Sequence, residues 1–160
     1  MQIPSPVGEM TVIMDGDTVI LAEFSDQPAR IEKYMAKHHA DKTVTAGNVE
    51  YVESAFAAYF AGDATALEGM KINASGSDFD RKVWAALRTI PAGETWSYAD
   101  LANAVGSHPR PVGGANGRNP IALIIACHRV IGKDGTLTGY AGGVERKSWL
   151  LEMENTSLNR

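Results

Sequence analysis

The sequence predicts an α+β protein of two small domains, on three observations. A strand-rich hairpin opens the chain, helix caps and helical spacing recur from Ser77 onward, and the loop-like run Ala74-Ser75-Gly76-Ser77 lies between them. At 160 residues, 44% hydrophobic and 21% charged, the chain can bury a substantial core. The expected division is residues 1–73 as an N-terminal α/β domain with an antiparallel sheet, 77–154 as a mainly helical domain, and 155–160 as a polar tail.

The elements follow in order. In TVIMDGDTVILAEF, β-branched runs flank Asp15-Gly16-Asp17, a strong hairpin signal. Across residues 48–61, Tyr51, Ala55, Ala58 and Tyr59 fall at helical spacing, and Gly62 supplies a stop. Leu67 to Ser77 reads as loop. Ser77 then caps a helix with Asp80 three residues later, and Phe79, Val83, Trp84 and Leu87 form its apolar stripe. Ser97 and Asp100 repeat the capping pattern, opening a short helix from Tyr98 to Val105 that Gly106 ends. Arg110-Pro111 starts another, since a first-turn proline removes no intrahelical bond. Two short helices joined by a glycine-containing turn make a helix-turn-helix candidate, a signal that many helical hairpins share.

The run IALIIACHRVIG, Ile121 to Gly132, reads as a buried strand carrying Cys127, the only cysteine in the chain. Lys133-Asp134-Gly135 makes a turn and Gly139-Tyr140-Ala141-Gly142-Gly143 a glycine-rich loop. A final helix from about Val144 to Glu154 puts Lys147, Leu150, Leu151 and Glu154 on one face. A carboxylate sharing a face with two leucines points at the core and wants a partner.

A free thiol with a pKa near ~8.5 is mostly protonated at neutral pH, and a histidine oriented by a carboxylate is the general means of activating it. Cys127, His128 and Glu154 supply the three residue types. Adjacent residues of a strand point to opposite faces, so a bridging water or a bend at Cys127 would be needed to couple the pair. An isolated Cys-His pair is more often a packed thiol beside a satisfied histidine. A lone cysteine excludes an internal disulfide and a multi-thiolate zinc site. No cofactor or metal is implied. The start MQIPSPVGEM has no signal-peptide character and no apolar stretch is long enough to span a bilayer, so a reducing cytoplasm and no membrane contact are expected.

Net charge is −4, but residues 1–75 carry −6 and residues 76–160 carry +2. Any contact with a polyanion should therefore fall to the second half, where Arg110, Arg118 and Arg129 gather near the cysteine in sequence.

The order of these pieces resembles the O6-alkylguanine-DNA alkyltransferases, the methylated-DNA–protein-cysteine methyltransferases. NPIALIIACHRVIGKDGTLTGYAGG followed by KSWLLEME is similar to the family signature, and FDRKVWAALRTIPAGETWSYADLANAVG and RPVGGANGRNP look like its helix-turn-helix region. The resemblance is strong over about residues 77–154 and looser before them. It implies that Cys127 accepts the alkyl group of O6-alkylguanine, and of O4-alkylthymine, in one irreversible displacement. His128 would deprotonate the thiol through a water, Glu154 would hold the imidazole, and Asn119 would order the water or the local backbone. Tyr98 would bond the guanine ring and crowd its phosphate, and Arg110 would fill the gap left by the flipped base. The helix carrying Gly113 and Gly114 would approach the minor groove of double-stranded DNA closely. Tyr140 would pack over the base, while backbone near Val130, Ala141 and Gly142 would line the alkylguanine pocket. A monomer is expected, each molecule acting once.

Three departures from the family pattern stand out. Ala126 replaces the usual proline and should loosen the backbone before the thiol. The turn Gly106-Ser107-His108-Pro109 is about two residues short. Pro111 follows Arg110 and should push it toward extended backbone. The rival readings are a lesion sensor that binds alkylguanine without transfer, a Cys-His-Glu hydrolase, and a plain DNA-binding regulator. A sensor of this fold would lack the cysteine, and a hydrolase would leave Arg110 and the helix-turn-helix unexplained. Glu154→Gln is expected to fold but transfer slowly.

Overall fold

The computed structural model describes residues 1–137 and 139–158, with side chains through Asn155 at its C-terminal end. Helices and a small antiparallel sheet mix as the α+β class requires. The sheet is β1 (Gln2–Ile3), β2 (Met10–Asp15) and β3 (Thr18–Phe24), in that order and antiparallel throughout. The β2–β3 hairpin turns at the predicted Asp15-Gly16-Asp17, with a bulge at Ile13/Met14. The outer edge of β3 is not left open. Val19 exchanges backbone bonds with the 71–73 segment, and Ala22 with Pro120 and Ala122. Covering an edge in this way removes unpaired N–H and C=O groups, and here it also fixes the chain just upstream of Cys127 against the sheet.

Two helices follow. α1 (Pro28–His38) has proline in its first turn and no fully buried residue. It went unread in the sequence, although Ile31, Tyr34, Met35 and His38 hold helical spacing after Pro28. α2 (Glu50–Phe60) buries Val52, Phe56 and Tyr59, so of the predicted set Tyr51, Ala55, Ala58 and Tyr59 only Tyr59 is fully buried. Tyr51 is exposed, with its hydroxyl donating to Asp17 O at 2.7 Å. With aromatic and alanine residues on both sides of this helix, spacing alone did not settle which face was apolar.

α3 (Asp78–Leu87) starts where predicted, with Ser77 Oγ accepting from Asp80 N, and it buries Val83, Trp84 and Leu87. β4 (Trp96–Ser97) leads into α4 (Tyr98–Val105), which has the reciprocal Ser97/Asp100 capping box and ends on Gly106 in the left-handed region. α5 (Pro109–Gly117) completes the helix-turn-helix. Arg110 therefore lies inside the first helical turn, not in extended backbone. First-turn N–H groups have no intrahelical acceptor, so prolines at 109 and 111 cost no bond. The extended residue is instead His108, which precedes Pro109.

The predicted strand through Ile121–Ala126 is not a strand. Its residues are all buried, but Ile124 N bonds Ala122 O, Ile125 N bonds Ile121 O, and Leu123 turns with φ +71°. A short apolar run signals burial, and its periodicity cannot say whether the backbone is extended. A 3₁₀ turn spans Cys127–Arg129, and only β5 (Val130–Ile131) is strand, paired parallel to β4. The last helix, α6 (Val144–Leu158), runs past the expected end at Glu154, because no glycine or proline stops it. Asn159 and Arg160 of the expected tail lie outside the described residues. The buried apolar core is continuous from the sheet through α3–α5 to Leu150 of α6.

A buried thiol beside a histidine–carboxylate pair

Cys127 is mounted by a chain of backbone constraints. The Asn119 carboxamide spans the turn below it, donating from Nδ2 to Ile125 O at 2.8 Å and accepting at Oδ1 from Ile121 N at 2.9 Å. Cys127 N in turn donates to Ile125 O at 2.8 Å. That bond makes Ala126, at φ −80° and ψ 58°, the centre of an inverse γ-turn. Its φ lies within the range a proline ring enforces, so the alanine keeps the backbone shape that a proline would give. The Ala126 N–H has no acceptor among the described residues. Ala126→Pro should therefore keep the fold and raise unfolding free energy by about 0.5 kcal/mol, through a less flexible unfolded chain. A loss of more than about 1 kcal/mol in chemical denaturation would contradict this reading of the turn.

The 3₁₀ turn resolves the geometric objection to neighbouring Cys and His. The two side chains leave a tight turn rather than opposite faces of a strand. His128 is fully buried, and its Nε2 lies 2.7 Å from Glu154 Oε2. Glu154 also accepts from Arg129 Nε at 2.9 Å, Arg129 Nη2 at 3.0 Å and the Tyr59 hydroxyl at 2.5 Å. The partner that the Glu154 position demanded is thus a set of three. Burial pushes the Glu154 carboxyl up, but His128 and Arg129 outweigh it and hold the group well below the usual carboxylate range. A carboxylate only accepts, so in the neutral imidazole Nε2 carries the hydrogen and Nδ1 the lone pair. His128 Nδ1 has no hydrogen-bond partner among the described residues.

Burial pushes the Cys127 thiol up to about 11, with Glu23 adding to the rise; the Asn119 hydrogen bond, Lys147 and Arg30 pull the other way. Cys127 lines a narrow cleft bordered also by Glu23, Arg30, Asn116, Gly139, Tyr140 and Ala141. Asn116 Oδ1 and Tyr140 Oη, like His128 Nδ1, are buried without a partner among the described residues. Unpaired buried polar atoms are rare in native proteins and call for an explanation. Two of these three line the cleft and the third belongs to the residue after Cys127.

Of the other predicted site residues, Tyr98 is half-buried between the helix-turn-helix and the glycine-rich loop. A Cβ on Gly113 would sit 3.7 Å from its ring, and one on Gly139 would sit 3.3 Å from its hydroxyl. The β4–β5 pairing sets this position, because it ties Ser97 to the strand that leaves the 3₁₀ turn. Val130 is buried in that strand, and Ala141 and Gly142 lie on the cleft wall. Arg110 and Gly114 are exposed one turn apart on α5. Arg110 is the only one of the three predicted basic contacts without an ion pair among the described residues. Arg118 is bound to Asp80, and Arg129 is buried on Glu154 and the Ile90 carbonyl. Arg129 is thus structural support for Glu154, not a polyanion contact. Sequence reasoning also missed Tyr59, and it missed Glu23 and Arg30, whose ion pair borders the cleft while Arg30 bonds Gly117 O at 3.0 Å. Nothing in the local pattern near residue 59 or 23 points to a thiol 68 and 104 residues further along the chain. Among the described residues no group of three His, Cys, Asp or Glu side chains is placed to hold a metal ion, and no helix is long and apolar enough to cross a membrane.

Fold and site together define a class: a helix-turn-helix unit built around a buried thiol with a carboxylate-held histidine beside it. Residues 78–156 match the family model described as the DNA-binding domain of 6-O-methylguanine DNA methyltransferase. A methylated-DNA–protein-cysteine methyltransferase of Salmonella typhimurium is 39% identical over 159 residues, covering 96% of this chain and 93% of that one. Its counterpart in Mycobacterium bovis is 41% identical over 156 residues, covering 96% and 90%. The crystal structure of Mycobacterium tuberculosis OGT in complex with DNA superposes with a TM-score of 0.84 at 40% identity, covering 98% and 92%. The chain belongs to the methylated-DNA–protein-cysteine methyltransferase family.

Proposed function

We propose that this protein repairs DNA by direct reversal, moving the alkyl group of O6-alkylguanine in duplex DNA onto Cys127. The observation that carries the reading is the pairing of His128 Nε2 with Glu154, which leaves Nδ1, on the residue next to Cys127, buried with a free lone pair among the described residues. The thiol proton passes to His128 through a bridging water. The sulfur attacks the alkyl carbon, the C–O6 bond breaks with its electrons on the base, and the proton returns to the base at N1. Sulfur and base each end neutral. The thioether is not hydrolysed, so each molecule acts once.

O6 is out of a thiolate's reach while the base is stacked, so the nucleotide is flipped, at a cost of a few kcal/mol. Exposed Arg110, in the first turn of α5, enters the minor groove and fills the gap. Gly114 on the same face lets the backbone approach closely. Tyr98 bonds the guanine ring and crowds the phosphate, and Tyr140 packs over the base. Backbone at Val130, Ala141 and Gly142 completes the pocket, which also takes O4-alkylthymine. The protein acts as a monomer, with residues 77–154 as the alkyltransferase unit and 1–73 as a supporting unit.

Intact mass after incubation with an O6-methylguanine duplex tests the reading. One methylene should be gained on the wild-type chain and none on Cys127→Ala. Binding without mass gain would leave a lesion sensor, and repeated turnover of an ester would leave a hydrolase; either result sinks transfer.

A further inference from the structure

Arg146, in the first turn of α6, fastens the glycine-rich loop to the N-terminal half of the chain. Its Nε donates to Val7 O at 2.7 Å, and Nη1 and Nη2 grip Asp26 at 2.9 and 2.8 Å. Nη1 also donates to Gly142 O at 3.2 Å, and the guanidinium lies over the Phe24 ring at 4.2 Å. A planar fork satisfied on several sides is a geometry arginine supplies and lysine cannot. The bond to Gly142 matters because that residue belongs to the cleft wall with Tyr140 and Ala141.

The packing beneath the latch leaves no slack. A Cβ on Gly142 would come within 2.8 Å of the Tyr140 ring and 2.9 Å of the Phe24 ring. Phe24 is fully buried, so Gly142 is held between the Tyr140 ring and a rigid element of the sheet. A Cβ on Gly8, at φ +117°, would likewise meet Arg146 Nη2 at 2.7 Å, so the β1–β2 turn closes tightly on the guanidinium. One wall of the cleft is therefore held by residues of β3, the turn after it and the β1–β2 turn, with Arg146 as the common fastener.

We infer that the Arg146–Asp26 latch sets the width of the cleft over Cys127, and so the size of alkyl group the protein accepts. The inference rests on the alkyl-transfer reading and gives the N-terminal half a part in specificity. Arg146 is a positioning residue: its guanidinium bonds Gly142, not the reacting atoms. With the latch weakened, Gly142 can move off Phe24 and give Tyr140 room to admit a bulkier group, while methyl transfer gains nothing from the extra room.

A competition assay separates this from a merely structural role. Equimolar duplexes carrying O6-methylguanine and O6-benzylguanine are offered to limiting protein, and the two adducts on Cys127 are counted by intact mass. A fold that is only weakened lowers both adducts together and leaves their ratio alone. Asp26, largely exposed, can be cut to alanine without opening the core, and Arg146→Lys keeps the charge but loses the fork. Both variants should raise the benzyl-to-methyl ratio about fivefold, the scale of a partly exposed bidentate pair. A ratio within twofold of wild type in both, with adducts still forming, overturns the latch and spares the transfer reading. No adduct from either duplex on the wild-type chain overturns the transfer reading and the latch with it.

Discussion

Glu154→Gln should cost about 3 kcal/mol of unfolding free energy and slow alkyl transfer at least ~100-fold. The two losses have separate origins. Glu154 is a fully buried anion that accepts from Tyr59, His128 and Arg129, and Arg129 is itself buried. An amide in its place leaves the Arg129 cation inside the protein without a counter-charge, with the Ile90 carbonyl and one amide oxygen as neutral acceptors. Removing one member of a buried pair is far more damaging than never having had the pair. On the proposed transfer reading, the kinetic loss comes from His128, whose ring loses the carboxylate that fixes which nitrogen carries the hydrogen.

Tyr59→Phe separates the two effects. It removes one hydrogen bond to Glu154 but keeps the charge, so stability should drop by about 1 kcal/mol while transfer stays within a few-fold of wild type. Urea unfolding and single-turnover rates on one methylated duplex give both readouts. A Glu154→Gln protein that transfers at the wild-type rate would refute the orienting role whatever its stability. The pH dependence follows from the same carboxyl. It titrates below an unfolded glutamate, whose value is near 4.5, so its contribution is complete above that pH. The contribution drains away only as pH falls below that value toward the depressed folded one. The expectation that Glu154→Gln simply folds thus becomes a protein that folds with a reduced margin.

Elements defined by local chemistry were legible from the chain. Ser77 and Ser97 each placed a helix start to the residue, and Gly106 placed an end, because caps act over three or four positions. The thiol, its histidine and the inward-facing Glu154 were legible as well, the last because a helical repeat puts it level with Leu150 and Leu151. What escaped was long-range or conformationally ambiguous. The run Ile121–Ala126 announced burial, but its turn is fixed by Asn119 and by the Ala22 edge, one of them a hundred residues upstream. Arg129 looked like a surface cation until α6 brought Glu154 to it. Ala126, standing where the family pattern has proline, suggested a loosened backbone. The γ-turn closed by Cys127 N and Ile125 O supplies the constraint that the missing proline ring would have supplied.

Between pH 9 and 11 the wild-type protein should lose up to about 3 kcal/mol of stability that Cys127→Ala retains. In the unfolded chain the thiol ionises near 9, whereas burial in the native cleft delays ionisation to about 11. Across that window the unfolded state sheds a proton the folded state keeps, so rising pH favours unfolding. Below pH 9 both states hold the proton and the difference vanishes. Tyr59 and Tyr140, held above the ordinary range by burial, and Lys147, held below it by burial, also titrate differently in the fold. The comparison with Cys127→Ala cancels their largest contributions because all three residues remain. Iodoacetamide gives the kinetic counterpart. Labelling of Cys127 should rise about tenfold per pH unit from neutrality and level off only near 11, since the thiolate alone reacts. A plateau near pH 8.5 would mean that the thiol ionises as it does in water, and would remove the basis for both expectations. The shift also bears on how a single-use nucleophile survives until it meets a lesion. At neutral pH a thiol of this kind is anionic in about one molecule in 10⁴, so stray electrophiles find little to attack. On the proposed reading, transfer then depends on drawing the proton away through His128 when the alkylated base is in the cleft, which would couple reactivity to recognition.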